Sequence, residues 1–162
     1  MKRILVLALS VILALIVAAP MVLAQGGQGG APTPIEETFD IPAGGVFGRC
    51  DFPIRFEASG KGKELELPGG RFISTFPGLT LTLTNLNNGH RETFNVTGSI
   101  HQTTLANGDV QFVSTGRSIF GDPEAGFVLA IGQFSFVFDK NGNLVQPLSG
   151  EGQMSDICKA LA

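Results

Sequence analysis

From Phe39 to Leu148 the apolar side chains come in short runs at every second position, and no helical period competes with that rhythm. Leu79, Leu81 and Leu83 alternate with Thr80, Thr82 and Thr84. Phe52, Ile54 and Phe56 oppose Arg55 and Glu57, and Leu65 and Leu67 oppose Glu64 and Glu66. Side chains alternate across a strand, so each run makes one apolar and one polar face. Pro53 places its strand at an edge or at its own start. Gly69-Gly70 and Pro77-Gly78 turn the chain between runs. Three Asn-Gly pairs, Asn88-Gly89, Asn107-Gly108 and Asn141-Gly142, suit the positive φ angles of type I′ hairpins. A Thr-Gly or Ser-Gly step follows each, at Gly98, Gly116 and Gly150, and reads as a bend in a meander.

Residues 127–138 carry the main architectural clue. Phe127, Leu129 and Ile131 are apolar at odd positions, whereas Phe134, Phe136 and Phe138 are apolar at even ones. One extra residue at Gly132-Gln133, as a β-bulge or sharp bend, would keep both halves on one core. The alternative is a strand buried on both faces. A last strand begins at residues 144–148. Residues 155–161 read as one or two helical turns, with Ser155 as N-cap and Asp156 in the first turn. The expected fold is all-β: a single antiparallel barrel, alternatively a sandwich, of about 8–9 strands with a short C-terminal helical turn.

Composition supports a packed interior. All 13 aromatic residues are Phe, with no Trp or Tyr. Sugar-binding surfaces favour rings with a polar tip, so these Phe side chains read as core and a carbohydrate-binding module is disfavoured. Lys2-Arg3, an apolar run over residues 4–19, Pro20 and Val22-Leu23-Ala24 form the pattern of a secretory signal peptide. The chain therefore divides into a signal at 1–24, a flexible Gly/Pro leader at 25–34 and a β domain at 35–162. Retention of the first segment as a membrane anchor is the alternative. No Cys follows Ala24, which excludes lipid attachment there. Removing the signal leaves about 138 residues, enough for one domain with a real core.

The net charge of −3 becomes more negative once Lys2 and Arg3 are removed, which disfavours nucleic acid and anionic lipid as partners. The expected location is secreted, extracellular or at the cell envelope. Oxidising conditions favour a disulfide between Cys50 and Cys158, the two cysteines of the chain. Free or metal-binding thiols are the alternative. A bridge closing a loop of about 100 residues is worth about 4.7 kcal/mol in the chain-entropy treatment.

Catalytic signatures are missing: there is no Gly-x-Ser-x-Gly elbow, phosphate loop, His-Glu-x-x-His or Cys-x-x-Cys. No cofactor or metal site is expected. Asp139-Lys140-Asn141-Gly142-Asn143 resembles a calcium loop only in composition; its Gly falls at the fourth place, and a hairpin turn explains it. The residues singled out as pocket candidates are Gln102 and Thr104, with His101 beside them. They place polar groups where the strand through Phe94 and Ile100 would continue inward. Emergence of that strand into solvent is the simpler alternative. Glu57, Glu64 and Glu66 read as solvated strand positions, His90 as a solvated turn residue, and Asn95-Val96-Thr97 as a glycosylation triplet of the kind that arises by chance.

Phe39-Asp40-Ile41-Pro42-Ala43-Gly44, Cys50-Asp51-Phe52-Pro53-Ile54, Phe76-Pro77-Gly78-Leu79-Thr80-Leu81-Thr82 and Gly142-Asn143-Leu144-Val145-Gln146-Pro147-Leu148 together resemble small secreted proteins of Gram-positive, high-GC bacteria. The likeness spans most of the chain after the signal, on turn and core residues. It implies export and brings no activity with it. The functional expectation is a non-catalytic exported module that binds a small or apolar ligand or a cell-surface partner. The alternatives are a barrel-type cyclase or isomerase, and a structural envelope or matrix protein.

Overall fold

The computed structural model describes residues 30–45 and 50–162. The expected signal at residues 1–24 and the first half of the leader lie outside the described residues. The strands are β1 (Thr33–Ile41), β2 (Ile54–Leu67), β3 (Arg71–Thr75), β4 (Thr80–Asn85), β5 (Arg91–Asn95), β6 (Gly98–Thr104), β7 (Val110–Asp122), β8 (Gly126–Phe138) and β9 (Leu144–Asp156). A single helical turn, α1 (Ile157–Leu161), ends the chain. β1 begins at Thr33, slightly ahead of the expected Ile35.

All pairings are antiparallel, in the order β5-β4-β2-β3-β6-β7-β8-β9, with β1 on β2 off this path. Among the described residues no ladder returns from β9 to β1 or β5, so the sheet is open and the expected barrel does not close. Packed layers, the sandwich-like alternative, fit instead. The reason lies in β2, which is too long to have one neighbour per side. Its residues 54–59 lie between β1 and β4, while residues 63–67 pair with β3. β3 and β4 therefore lie end to end along β2, and β6 and β5 lie end to end along them. A short sheet (β1, the first half of β2, β4, β5) thereby diverges from a long one (the second half of β2, β3, β6 to β9).

A line of glycines creases the long sheet. Gly98 pairs with Gly116, Gly116 with Gly132 and Gly132 with Gly152, one in each of β6 to β9. A Cβ on Gly132 would lie 2.2 Å from the Glu151 carbonyl oxygen and 2.8 Å from the Gly152 Cα. Its φ of +144° is one that side-chain-bearing residues rarely adopt. Residues four apart on a flat strand stand roughly 13 Å from each other. Across the crease the hydroxyls of Ser114 and Ser118 are 2.7 Å apart. Phe112 and Phe120, at opposite ends of β7, both contact Phe136, with ring centroids 5.0 Å and 5.6 Å away. The far halves of β7 and β8 thus fold back over their near halves. Asp122 ties down the tip of that hairpin by accepting hydrogen bonds from the Glu124, Ala125 and Leu148 amides.

The folded-back hairpin becomes the middle of three layers. One of its faces, with Ile119, Phe127, Leu129 and Ile131, packs with Ile41, Ile54, Phe56, Leu81, Leu83, Ile157 and Leu161. The other carries buried Val128 and Ala130 on the side of the Phe112, Phe120, Phe134 and Phe136 cluster. Each fully buried large side chain contributes about 1.5–3 kcal/mol, so two modest cores share the stabilisation. The parity change in β8 follows from this arrangement. The β7–β8 register runs through Gly132 without a slip, so no bulge stands there. The odd residues before Gly132 serve one core, and the even residues on both sides of it serve the other. The register shifts lie further on, against β9, where Pro147 and Leu148 stand opposite Phe136. Pro147 has no N–H to give a ladder.

Three local expectations need correction. Outside glycine, no described residue has a positive φ, so the Asn-Gly loops are not type I′ turns. At Leu105–Asp109 and Asp139–Asn143 the Gly amide closes a turn on the residue three before it, and the residue after Gly closes the hairpin. Only Gly then needs the left-handed region, as in a type I turn with a glycine bulge. β9 continues through Gly150 and Gly152 to Asp156. Ser155 is thus still in the ladder, and Asp156 is the helix cap, accepting from the Lys159 amide at 3.1 Å. The disulfide joins Cys50 to Cys158, holding α1 against the start of β2 with a Cα separation of 5.1 Å. Asn85, itself buried, donates to the Leu161 carbonyl at 3.0 Å and secures the other end of the turn.

Candidate functional site

The creased sheet covers one of its faces with its own hairpin and leaves the other open. Residues directly opposite each other in a ladder share a face, so the register lists what the open face presents. One row runs Lys63, Thr75, Ser99, Thr115, Gln133, Glu151 across six strands. The next runs Leu65, Ile73, His101, Val113, Ser135, Ser149. At a spacing of about 4.8 Å per strand, the first row is roughly 24 Å long. Its middle is uncharged and consists of hydroxyls and an amide, with a cation at one end and a carboxylate at the other. Ser99 and Thr115 hydrogen bond to each other at 2.8 Å.

Two clefts open beside this row. One, of about 360 Å³, is bounded by Thr75, Phe76, Pro77, Thr97, Ser99 and Thr115 with the crease glycines 98 and 116. The other, of about 480 Å³, lies among Gln111, Val113, Gln133, Ser135, Ser149 and Glu151. They adjoin across the β7–β8 ladder, where Thr115 faces Gln133. The first opens where the sheets diverge at Thr97-Gly98 and the sheet folds at Gly116; the second lies beside the fold, where Ser149 and Glu151 stand opposite Ser135 and Gln133.

The three sequence candidates do not converge. Gln102 and Thr104 sit on the covered side with Phe72 and Phe112, opposite in register or next along the strand. Gln102 is half-buried there, and Thr104 is exposed, its hydroxyl donating to the Gly70 carbonyl at 3.4 Å. His101 points to the open face, exposed between Ile73 and Val113. Strand alternation separates it from the other two, and neither cleft includes any of the three. The residues that do line the clefts were legible only as hydroxyl-glycine steps, since each strand contributes one or two and register alone assembles them.

Elsewhere the polar groups satisfy one another. On the outer face of the short sheet, Arg55 holds Asp40 at 2.8 Å, Arg91 meets Glu57 at 3.2 Å, and Thr82 bonds Thr93 at 3.0 Å. The Arg55 hydrogen bond keeps the Asp40 carboxyl below its ordinary pKa. The Asp139 carboxyl is lowered to about 2, chiefly by the side chain and amide of Asn143 and then by Asn141. Those donors close a hairpin loop, as the sequence suggested. The Asn95 side chain accepts from the Thr97 amide at 3.0 Å, and His90 stands 3.5 Å from Glu92 in the solvated loop region. Among the described residues no group of three or more His, Cys, Asp or Glu is placed to hold a metal ion, and no helix is long and apolar enough to cross a membrane.

The open face can donate and accept hydrogen bonds along a line, with half-buried aliphatic side chains beside it. His101 and Glu151 stand three strands apart, roughly 14 Å, too far to share a proton. Neither family models nor curated proteins match the sequence, and no solved structure matches the fold.

Proposed function

We propose that this chain is a non-catalytic exported module that engages an extended, polar and largely uncharged partner at the cell envelope through the open face of its creased sheet. The observation that carries the reading is the uncharged row Thr75, Ser99, Thr115, Gln133, with a cleft on each side of the β7–β8 ladder. A polar surface of this kind suits hydrogen bonding to a partner that brings its own donors and acceptors. Export is supported by the disulfide and by the resemblance to secreted proteins of high-GC bacteria. The Phe side chains that would line an enclosed ligand cavity pack against one another instead, one pair stacked and three edge to face, which favours a surface partner over a small apolar ligand. The buried carboxylate of Asp122, which a cyclase or isomerase could have used, is committed to three backbone amides.

A structural envelope role is the second reading, favoured by the packed interior and by Val145 and Met154, 55% and 50% exposed on the outermost strand. Co-sedimentation with insoluble envelope material from the host tests the first. The oxidised wild-type chain should partition with the envelope, and a double Thr115→Arg, Gln133→Arg variant, altered only on the open face, should lose about tenfold or more in affinity. Equal partitioning of the two would remove the open face from the function.

A further inference from the structure

Among the described residues the sheet has four free edges, and three of them carry the charges that discourage pairing with another chain. β1 bears Glu36, Glu37 and Asp40; the end of β2 beyond β1 bears Lys63, Glu64 and Glu66; β5 is five residues long and bears Arg91 and Glu92. Exposed strand edges are protected in this way, by charge, brevity, proline or a bulge. β9 differs. Its first half has Pro147 and the register shifts, but residues 149–155, Ser-Gly-Glu-Gly-Gln-Met-Ser, hold one charge and no proline. All seven are exposed and pair only with β8.

The crease selects the occupant. A strand added to β9 must bend where the sheet bends, and every strand from β6 to β9 crosses the crease at a glycine. A second copy of β9 brings that glycine in the right place. We propose that two copies of this chain associate edge to edge through antiparallel β9 strands, on a two-fold axis at Gly152. This register sets Glu151 opposite Gln153 and Ser149 opposite Ser155, whereas an axis at Glu151 would oppose two carboxylates. The axis passes through the crease, so the crease continues through the dimer and the two open faces lie on opposite leaves of the fold.

The register predicts opposite effects at one exposed position. Gln153→Lys places a cation opposite Glu151 of the other copy, twice per dimer, and Gln153→Glu places an anion there. In sedimentation equilibrium at low salt, the wild type should dimerise. The lysine variant should associate about fivefold more tightly and the glutamate variant about fivefold more weakly. Adding Glu151→Lys to Gln153→Glu should restore the dimer. A wild type that stays monomeric throughout, or a dimer indifferent to the charge at this position, overturns the proposal. The two Gln153 substitutions touch neither the core nor the open-face row, so failure of those variants leaves the open-face reading standing.

Discussion

The two cores of this molecule are held by different means. The first joins the short sheet, the odd face of the β7–β8 hairpin and α1, and its periphery is fastened by the Cys50–Cys158 bridge. The second has no covalent link. It exists because four glycines let a sheet fold onto itself, bringing Phe112, Phe120 and Phe136 together. One region is stabilised by restricting the unfolded chain, the other by a backbone bend that side chains forbid. The contrast shows that a small Phe-rich domain can build two packed interiors by using one hairpin as the wall between them.

The crease is where the comparison is most easily broken. Gly132→Val drives a branched side chain into the Glu151 carbonyl and the Gly152 backbone, and the expected loss is about 4–5 kcal/mol, seen as a collapse of the cooperative urea transition. Replacing both Cys50 and Cys158 with Ala should cost about 4 kcal/mol. In hydrogen exchange the lost protection should fall on α1 and on the β2 residues beside it, with β7 and β8 affected less. Phe136→Ala should cost about 3 kcal/mol with the reverse distribution, exposing β7 and β8 while α1 stays protected. If the two variants give the same exchange map, the cores are one cooperative unit and the distinction is void.

A smaller effect sharpens the picture of the fold-back. Ser114 is buried and bonds Ser118 across the bend, so Ser114→Ala should lose about 1 kcal/mol in denaturant melts, with Ser118→Ala on top of it adding little. The smallest effect is a matter of pH at an exposed hairpin loop just beyond the second core. The Asp139 carboxyl is held at about 2 in the folded chain against an ordinary value of 3.8. A depressed carboxyl stabilises the fold above its unfolded pKa and loses that contribution as pH falls through the folded one. The wild type should therefore melt slightly above an Asp139→Ala variant at pH 5, and the gap should close toward pH 2.

How much of this was legible depended on the range of the interaction. The alternation of Leu79 to Thr84 announced a strand because one strand suffices to show it. The parity change in β8 announced that something happens at Gly132, but a single strand cannot say whether it bulges or bends with its neighbours. The opposed Gly116 and Gly132 decide that, and their pairing is a matter of register. The site was less legible for the same reason. Thr75, Ser99, Thr115 and Gln133 lie on four strands, and nothing local distinguishes them from other solvated residues. His101, Gln102 and Thr104 were adjacent in sequence, and adjacency on a strand sends neighbouring side chains to opposite faces.

The amino-acid sequence by itself determined the β class, the positions of the turns, the alternating faces of the clearest strands and the cysteine pair, because these follow from residue chemistry over a few positions or from a count of two. Only the tertiary structure decided that the sheet stays open, that the hairpin folds back as a middle layer, and which face is left for a partner. Those outcomes depend on which glycines meet across ladders, and pairing between distant segments is set by the free energy of the whole sheet rather than by any stretch of it.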